Sequence, residues 1–456
     1  MTSNEQQSTS NVLVRFAPSP TGWLHVGNVR TAIANFLFAK SLGGQFMLRI
    51  DDTDRARSEA QYESGLKEDL AWLGVHWDIL EKQSDRFARY ELAKADLIAK
   101  GRLYPCYETA EELDIKRKML VGRGLPPIYD RAGLTETAEK RAEYEAQGRT
   151  PHWRFKLDAA PIIWEDMVRG KVEFDGSKLS DPVMFREDGV VLFTFATSVD
   201  DGELGITHII RGEDHVSNTA MQVQIMQAMG HEIPVFGHMA LLKMKEGKIS
   251  KRVGGGDIRS LREGGIFPLV LMSYLAKIGT SDAIELADSM DALISNFAIS
   301  KLGRAMANYD PLELERLNQK LLHQMPFADV APQLAARGMG TIDATFWEAI
   351  KANLTTIDDT KDWWEVLHQP ITPVVAAADS EFIAVAASSL PLGEWNEASW
   401  DMLVNAVKEK TGRKGKELFM PLRLALTGRE HGPEMKTVLA LLGRDRAEKR
   451  LKGEAA

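Results

Sequence analysis

Pro18-Ser19-Pro20-Thr21-Gly22-Trp23-Leu24-His25-Val26-Gly27-Asn28 lies between an extended apolar run, Val12 to Phe16, and an amphipathic run, Val29 to Lys40. Val29, Ala32, Ile33, Phe36 and Leu37 recur at i, i+3, i+4, i+7 and i+8, one face of a helix. Gly43-Gly44 gives that helix a stop, and Phe46 to Ile50 reads as a second strand. The opening is therefore a βαβ unit with a parallel strand pair and a right-handed crossover, the start of an open α/β sheet. In that frame the quoted stretch is a turn that places backbone N–H groups and a histidine at a helix N-terminus, a site suited to polyphosphate. Asp51-Asp52-Thr53-Asp54 follows the second strand, where such sheets gather ligand-binding groups; a solvated acidic turn capping the next helix is the plainer reading.

A second segment far downstream, Lys248-Ile249-Ser250-Lys251-Arg252, sits on a glycine-flanked loop. Alone, His25 reads as a helix cap and the basic loop as a solvated one. Together they supply what the leaving pyrophosphate of ATP requires. His25 and Asn28 stand one turn apart at the helix start, and Lys248 and Lys251 bring positive charge. Attack on the α-phosphate needs positioning and charge compensation rather than a protein nucleophile. Pro18, Pro20 and Gly22 let the backbone pass close to the nucleotide.

The 456 residues allow about three domains at ~150 residues each. Apolar residues at 44% and charged residues at 27% are those of a globular chain that can bury a core. Cys106 is the only cysteine, so the chain cannot build a disulfide framework or a zinc site with two thiolates. A reducing, cytoplasmic home fits. Residues 1–10 read as a loose polar tail, and no apolar run reaches the ~20 residues of a membrane span. A net charge of −9 gives no global steering toward nucleic acid, leaving local basic patches for that task.

Along the chain, helices are expected from Tyr62 to Leu73 and from Ala88 to Ala99. A helix-rich segment follows from Glu108 to Gly148, and strands at His152 to Lys156, Val168 to Phe174 and Val190 to Phe195. Ile206 to Ile210 returns as a core strand. Ser217 can cap a helix ending at Gly230, and His238 to Leu242 leads into the basic loop. From Asp257 the pattern is almost wholly helical, with Phe267 to Ile278 and Pro311 to Leu322 as clear helices. The expected organisation is a catalytic domain over 11–84 and 190–256, interrupted by an α+β insertion over 85–189. A helical domain over 257–325 and an all-helical region over 326–456 follow.

The two motifs resemble the signatures of class I aminoacyl-tRNA synthetases. RFAPSPTGWLHVGN, LRIDDTD, WLGVHWD, VDDGELGITHIIRGEDHVSNT and KISKR together resemble the bacterial glutamyl-tRNA synthetases, and KGKELFMPLRLALTGREHGPE and LLGRDR are similar to that family's C-terminal helices. The resemblance implies a Rossmann-like catalytic domain, an inserted domain for the tRNA acceptor end, a helical stem-contact domain over 257–325 and an all-α anticodon-binding region. It also implies a reaction: glutamate attacks ATP, accompanied by Mg²⁺, to give glutamyl-adenylate, and the acyl group then passes to tRNA.

By that resemblance His25, Asn28, Lys248 and Lys251 are catalytic. Pro18, Ser19, Pro20, Gly22, Gly27, Asp214, Ser250 and Arg252 would bind ATP. Arg15, Ala17, Ser19, Asp51, Phe193, Thr197 and Arg211 would bind glutamate, the arginines by bidentate pairing with its carboxylates. Arg211, Glu213 and Asp214 match the family's strand-end segment. Asp51 stands where the family usually has Glu, Phe193 where Tyr is common and Thr197 where Asn is common. Cys106 is a buried small hydrophobe on this reading, and no zinc is expected. Lys408, Lys410, Arg413, Lys414, Lys416 and Arg423 form a candidate tRNA-contacting patch. The implied partners are tRNA(Glu), with tRNA(Gln) as the alternative, L-glutamate and no membrane, with the chain a monomer. Rival readings are an enzyme that loads glutamate onto tRNA(Gln), a tRNA-independent nucleotidyltransferase and a non-catalytic tRNA-binding relative.

Overall fold

Leu13–Phe16 (β1) buries its last three residues. It pairs in parallel with Gln45–Ile50 (β2), Val14 opposite Phe46 and Phe16 opposite Leu48. Between them Val26–Ser41 (α1) buries Val29, Ala32, Ile33, Phe36 and Leu37, the face its spacing predicts. The turn after the helix takes Gly43 to φ 65, a left-handed conformation glycine adopts without steric cost. This structure is a computed structural model, and it describes residues 11–244 and 256–456. The expected tail over 1–10 and the Lys248-to-Arg252 motif lie outside the described residues.

The sheet grows from β1 in both directions. Its further strands are Ile79–Lys82 (β3), Pro161–Asp166 (β4), Gly170–Asp175 (β5), His208–Gly212 (β6) and Val235–Met239 (β7). In space they run β3-β2-β1-β6-β7-β4-β5. Every neighbouring pair is parallel except the hairpin β4–β5. The order reverses between β1 and β6, and the crevice at the C-terminal ends of those strands is where open α/β sheets bind ligands. Met47, Ile162, Trp164, Ile209, Val223 and Phe236 form one core cluster against the sheet.

Two expectations need correction. Val190 to Phe195 is not a strand. Val191 makes one isolated bridge to Phe185, and Leu192 then starts the helix Phe193–Glu203. That helix buries Phe195, Ala196 and Val199 in a second cluster with Tyr90, Phe155 and Phe185. An unbroken apolar run cannot tell strand from buried helix by periodicity. The chain after Asp257 is almost wholly helical, as expected, with one short strand, Ala307–Tyr309, pairing in parallel with Leu242–Met244. Ser217 is not the cap of Val216–Met229: His215 occupies that position without a side-chain bond.

The segment expected as an insertion, 85–189, shares the main sheet through β4 and β5. Its own antiparallel sheet consists of Leu103–Cys106, His152–Phe155 and Val183–Phe185. The helices Ala110–Gly122 and Ala138–Ala146 follow the helix-rich reading, and Cys106 is buried.

The chain divides into two compact units. The described residues of the first are 11–244, 256–260 and 271–310, so 271–310 goes with the catalytic sheet. The second holds 261–270 and 311–456 and is helical throughout its described length. There Leu314, Leu334, Trp347, Leu367, Leu403, Leu422 and Leu439 are buried. Buried Asn318 ties the short segment in: it accepts from the Phe267 N–H at 3.0 Å and donates to the carbonyls of Gly265 and Thr355.

Candidate active site

His25 is the N-cap of α1, in extended backbone conformation, and its Nδ1 accepts a hydrogen bond from the Gly27 N–H at 3.1 Å. That bond fixes the neutral tautomer: Nδ1 is bare, so Nε2 carries the proton and can donate. Partial desolvation at the cleft wall pushes the ring's pKa down, which favours this neutral form. Gly27 is required by the contact, since a Cβ there would stand 2.9 Å from His25 Cε1. The loop before α1 is pinned on its other side. Val26 N–H donates to the Gly256 carbonyl at 2.8 Å, and Ile258 N–H to the Leu24 carbonyl at 3.0 Å.

Two arginines on adjacent strands face the same space. Arg15, on β1, is held by Asp201 through Nε at 3.1 Å and Nη2 at 3.2 Å. Asp201 also accepts from Arg49 Nη1 at 2.6 Å, and Arg49 grips both oxygens of Asp51 at 2.7 and 3.1 Å. Burial would raise the Asp201 carboxyl, but the Arg15 and Arg49 guanidinia hold it below the usual range. Asp51 is pushed up to about 6 by burial, with Asp200 and Asp201 adding to the rise and Arg49 opposing it.

Arg211, at the end of β6, is 5% exposed. Its Nη2 donates to Thr219 Oγ1 and to Gln222 Oε1, and its Nη1 is buried with no hydrogen-bond partner among the described residues. Burial and the Arg15 charge push its pKa down to about 9, so it remains a cation at neutral pH. A desolvated cation with an unmet donor is where an incoming carboxylate gains most.

These groups line a cleft of about 460 Å³ at the C-terminal ends of β1, β6 and β7 and the N-terminus of α1. Of the residues the sequence singles out, Arg15, Ala17, Pro18, His25, Gly27, Asn28, Phe193, Arg211 and Asp214 lie in its wall. Ser19 and Gly22 are exposed, Pro20 is buried, and none of the three is in that wall. Asp51 turns both oxygens to Arg49 rather than to the cleft. Thr197 is fully buried, with Oγ1 lacking a partner among the described residues. Glu213 accepts from Arg169 Nη1 at 2.5 Å. Lys248, Ser250, Lys251 and Arg252 lie outside the described residues, although Met244, just before that segment, lines the cleft.

Sequence reasoning missed Arg30, Thr31 and His215, which also line it. Arg30 is 4% exposed and donates to the carbonyls of Ala240 at 2.7 Å and Ile278 at 3.1 Å. A charge on an otherwise apolar helix face was the available signal. His215 lies beside Phe193, ring centroids 5.4 Å apart.

In the second unit Lys408, Lys410, Lys414 and Lys416 are exposed, Lys410 also bonding Ser389 Oγ at 2.9 Å. Arg413 is engaged internally, with Asp379 at 2.6 Å and over the Phe382 ring at 4.4 Å. Arg423 is half-buried and donates to the Pro433 carbonyl at 3.0 Å.

The family described as tRNA synthetases class I (E and Q), catalytic domain, matches residues 11–315, and an anticodon binding domain matches 377–454. The chain is 53% identical to glutamate–tRNA ligase 1 of Maricaulis maris (strain MCS10), over 97% of this chain and 99% of that protein. It is 52% identical to the glutamate–tRNA ligase of Azospirillum brasilense, over 98% and 100%. Among solved structures it is similar, with a TM-score of 0.83 and 27% identity, to a glutamate tRNA ligase from Elizabethkingia meningosepticum CCUG26117 in complex with its amino acid, covering 97% of this chain and 98% of that one.

Proposed function

The chain belongs to the class I tRNA synthetases of the E and Q family, and from that premise we infer that its cleft joins L-glutamate to tRNA at the expense of ATP. The observation that carries this reading is the pair of buried arginines, Arg15 and Arg211, facing one cleft beside the capped N-terminus of α1. Glutamate brings two carboxylates, and Arg211 offers one of them an unmet donor.

One oxygen of the glutamate α-carboxylate attacks the α-phosphorus of ATP. The new O–P bond forms as the bond to the β-phosphate breaks, and pyrophosphate departs. His25 Nε2–H, the positive end of the α1 dipole and Asn28 stabilise the charge that builds on the phosphates. Lys251, assisted by Lys248, adds charge at the leaving pyrophosphate. Pro18, Ser19, Pro20, Gly22, Gly27, Asp214, Ser250 and Arg252 complete the ATP site. Mg²⁺ enters with ATP, bound through its phosphates. A hydroxyl of the terminal adenosine of tRNA then attacks the acyl carbon, and AMP leaves. Ala17, Ser19, Phe193 and Thr197 shape the space around glutamate, and Asp51 acts on it through Arg49, Asp201 and Arg15.

The tRNA is tRNA(Glu), with Lys408, Lys410, Lys414 and Lys416 contacting its phosphates. Relaxed loading of tRNA(Gln) is the second outcome the test admits. The enzyme works in the cytoplasm as a monomer. Pyrophosphate exchange into ATP, with tRNA present and each amino acid offered in turn, tests the reading. Glutamate alone should support exchange, and equal exchange with another amino acid would overturn it.

A further inference from the structure

Beneath the cleft a line of buried polar side chains ends on Arg211. Asp166 is the last residue of β4, His238 lies on β7 and Thr219 on Val216–Met229. Asp166 Oδ2 lies 2.5 Å from His238 Nδ1, and neither side chain has exposed surface. Asp166 Oδ1 accepts from the backbone N–H groups of Val168, Arg169 and His238 at 3.0, 2.9 and 3.1 Å. His238 Nε2 lies 2.8 Å from Thr219 Oγ1, and that oxygen accepts from Arg211 Nη2.

The direction of each bond follows from the first. An Asp166 carboxylate can only accept, so His238 Nδ1 carries the proton and Nε2 is bare. Nε2 then accepts the Thr219 O–H. That leaves the Thr219 oxygen lone pairs for Arg211 Nη2, and a longer contact from Arg211 Nε to His238 Nε2, at 3.4 Å, points the same way. Along this line each donor meets an acceptor until Arg211 Nη1, which has none among the described residues.

We propose that Asp166, His238 and Thr219 form a positioning line that fixes the Arg211 guanidinium so that Nη1 is left for a substrate carboxylate. This makes Asp166, on a hairpin outside both signature motifs, a remote determinant of glutamate affinity. The proposal rests on the reading that Arg211 binds glutamate.

Two variants break the line differently. Thr219→Val keeps shape and removes the acceptor, leaving one Nη2–H unmet while the other stays on Gln222 Oε1. Asp166→Asn keeps shape but reverses polarity. The three backbone N–H groups take its amide oxygen, so its NH₂ faces His238 Nδ1 and drives the ring to the Nε2–H tautomer. His238 then donates to Thr219 and competes with Arg211.

The test is steady-state aminoacylation by the full chain, varying glutamate at saturating ATP and tRNA and then ATP at saturating glutamate. Urea midpoints confirm folding of each variant. Thr219→Val and Asp166→Asn should each raise the KM for glutamate about tenfold with little change in the KM for ATP, and Thr219→Ser should restore it. An unchanged glutamate KM in either variant, or an equal rise in both KM values, overturns the proposal. Arg211→Lys separates the two layers of the argument. A raised glutamate KM there beside an unchanged one in Thr219→Val overturns the positioning line alone. An unchanged KM in Arg211→Lys overturns the reading of the cleft, and the line with it.

Discussion

Arg15 and Arg211 differ in what already satisfies them. Arg15 meets a carboxylate in two-point contact, while Arg211 meets neutral acceptors and keeps one donor unmet. Asp201 is the shared anion of Arg15 and Arg49, both buried. Asp201→Asn should therefore cost roughly 3–5 kcal/mol in urea unfolding, the range for breaking a buried pair. A loss under ~1 kcal/mol would show the network to be dispensable. Asp166 gives a pH signature. Burial would raise its carboxyl, but His238 and three backbone N–H groups hold it at about 2, below the ordinary 3.8. A depressed carboxyl contributes stability that is present above its unfolded pKa and lost as pH falls through its folded one, a window of about 4 down to 2. The stability gap between the native protein and Asp166→Asn should thus shrink as pH drops from 5 toward 3. A gap that stays constant would contradict the assignment. Arg15 and Arg211 were legible because they resemble a known pattern. Asp201 was not, because its partners Arg15 and Arg49 are 186 and 152 residues away and leave no local spacing to read.

At the scale of elements, the N-terminus of α1 concentrates the chemistry. Gly27→Ala would favour the helix intrinsically but drive the new Cβ into the His25 ring. It should lower kcat for adenylate formation about 10²-fold through misplacement of His25, with the unfolding free energy changed by no more than about 1 kcal/mol. An unchanged kcat would remove the ring's placement from the account. This helix was legible to within a turn, since one face is apolar and glycines follow it. The helix Phe193–Glu203 was not, because Val190 to Phe195 is apolar without alternation. The hairpin β4–β5 was half-read: the strand near Gly170–Asp175 is visible in the sequence. Its membership of the main sheet is not, because that rests on one long-range pairing, Phe236 with Asp166.

For the whole molecule, the order of chemistry along the chain was legible from two motifs and a helical C-terminal pattern. The strand order was not, since it depends on pairings between residues far apart in the chain, Val14 with His208 and Phe236 with Asp166. The basic patch splits by environment: Lys414 is exposed, whereas Arg413 is spent on Asp379 and Phe382. Lys414→Ala should weaken tRNA binding modestly and reduce the slope of log affinity against log salt by about one. An unchanged slope would take that residue out of the interface. The most direct test of the central claim is loading of purified tRNA(Glu) and tRNA(Gln) with labelled glutamate or glutamine, in the presence of ATP and Mg²⁺. The cleft described here predicts ATP-dependent attachment of glutamate to tRNA(Glu) and none of glutamine. Failure to attach glutamate to either tRNA would contradict it.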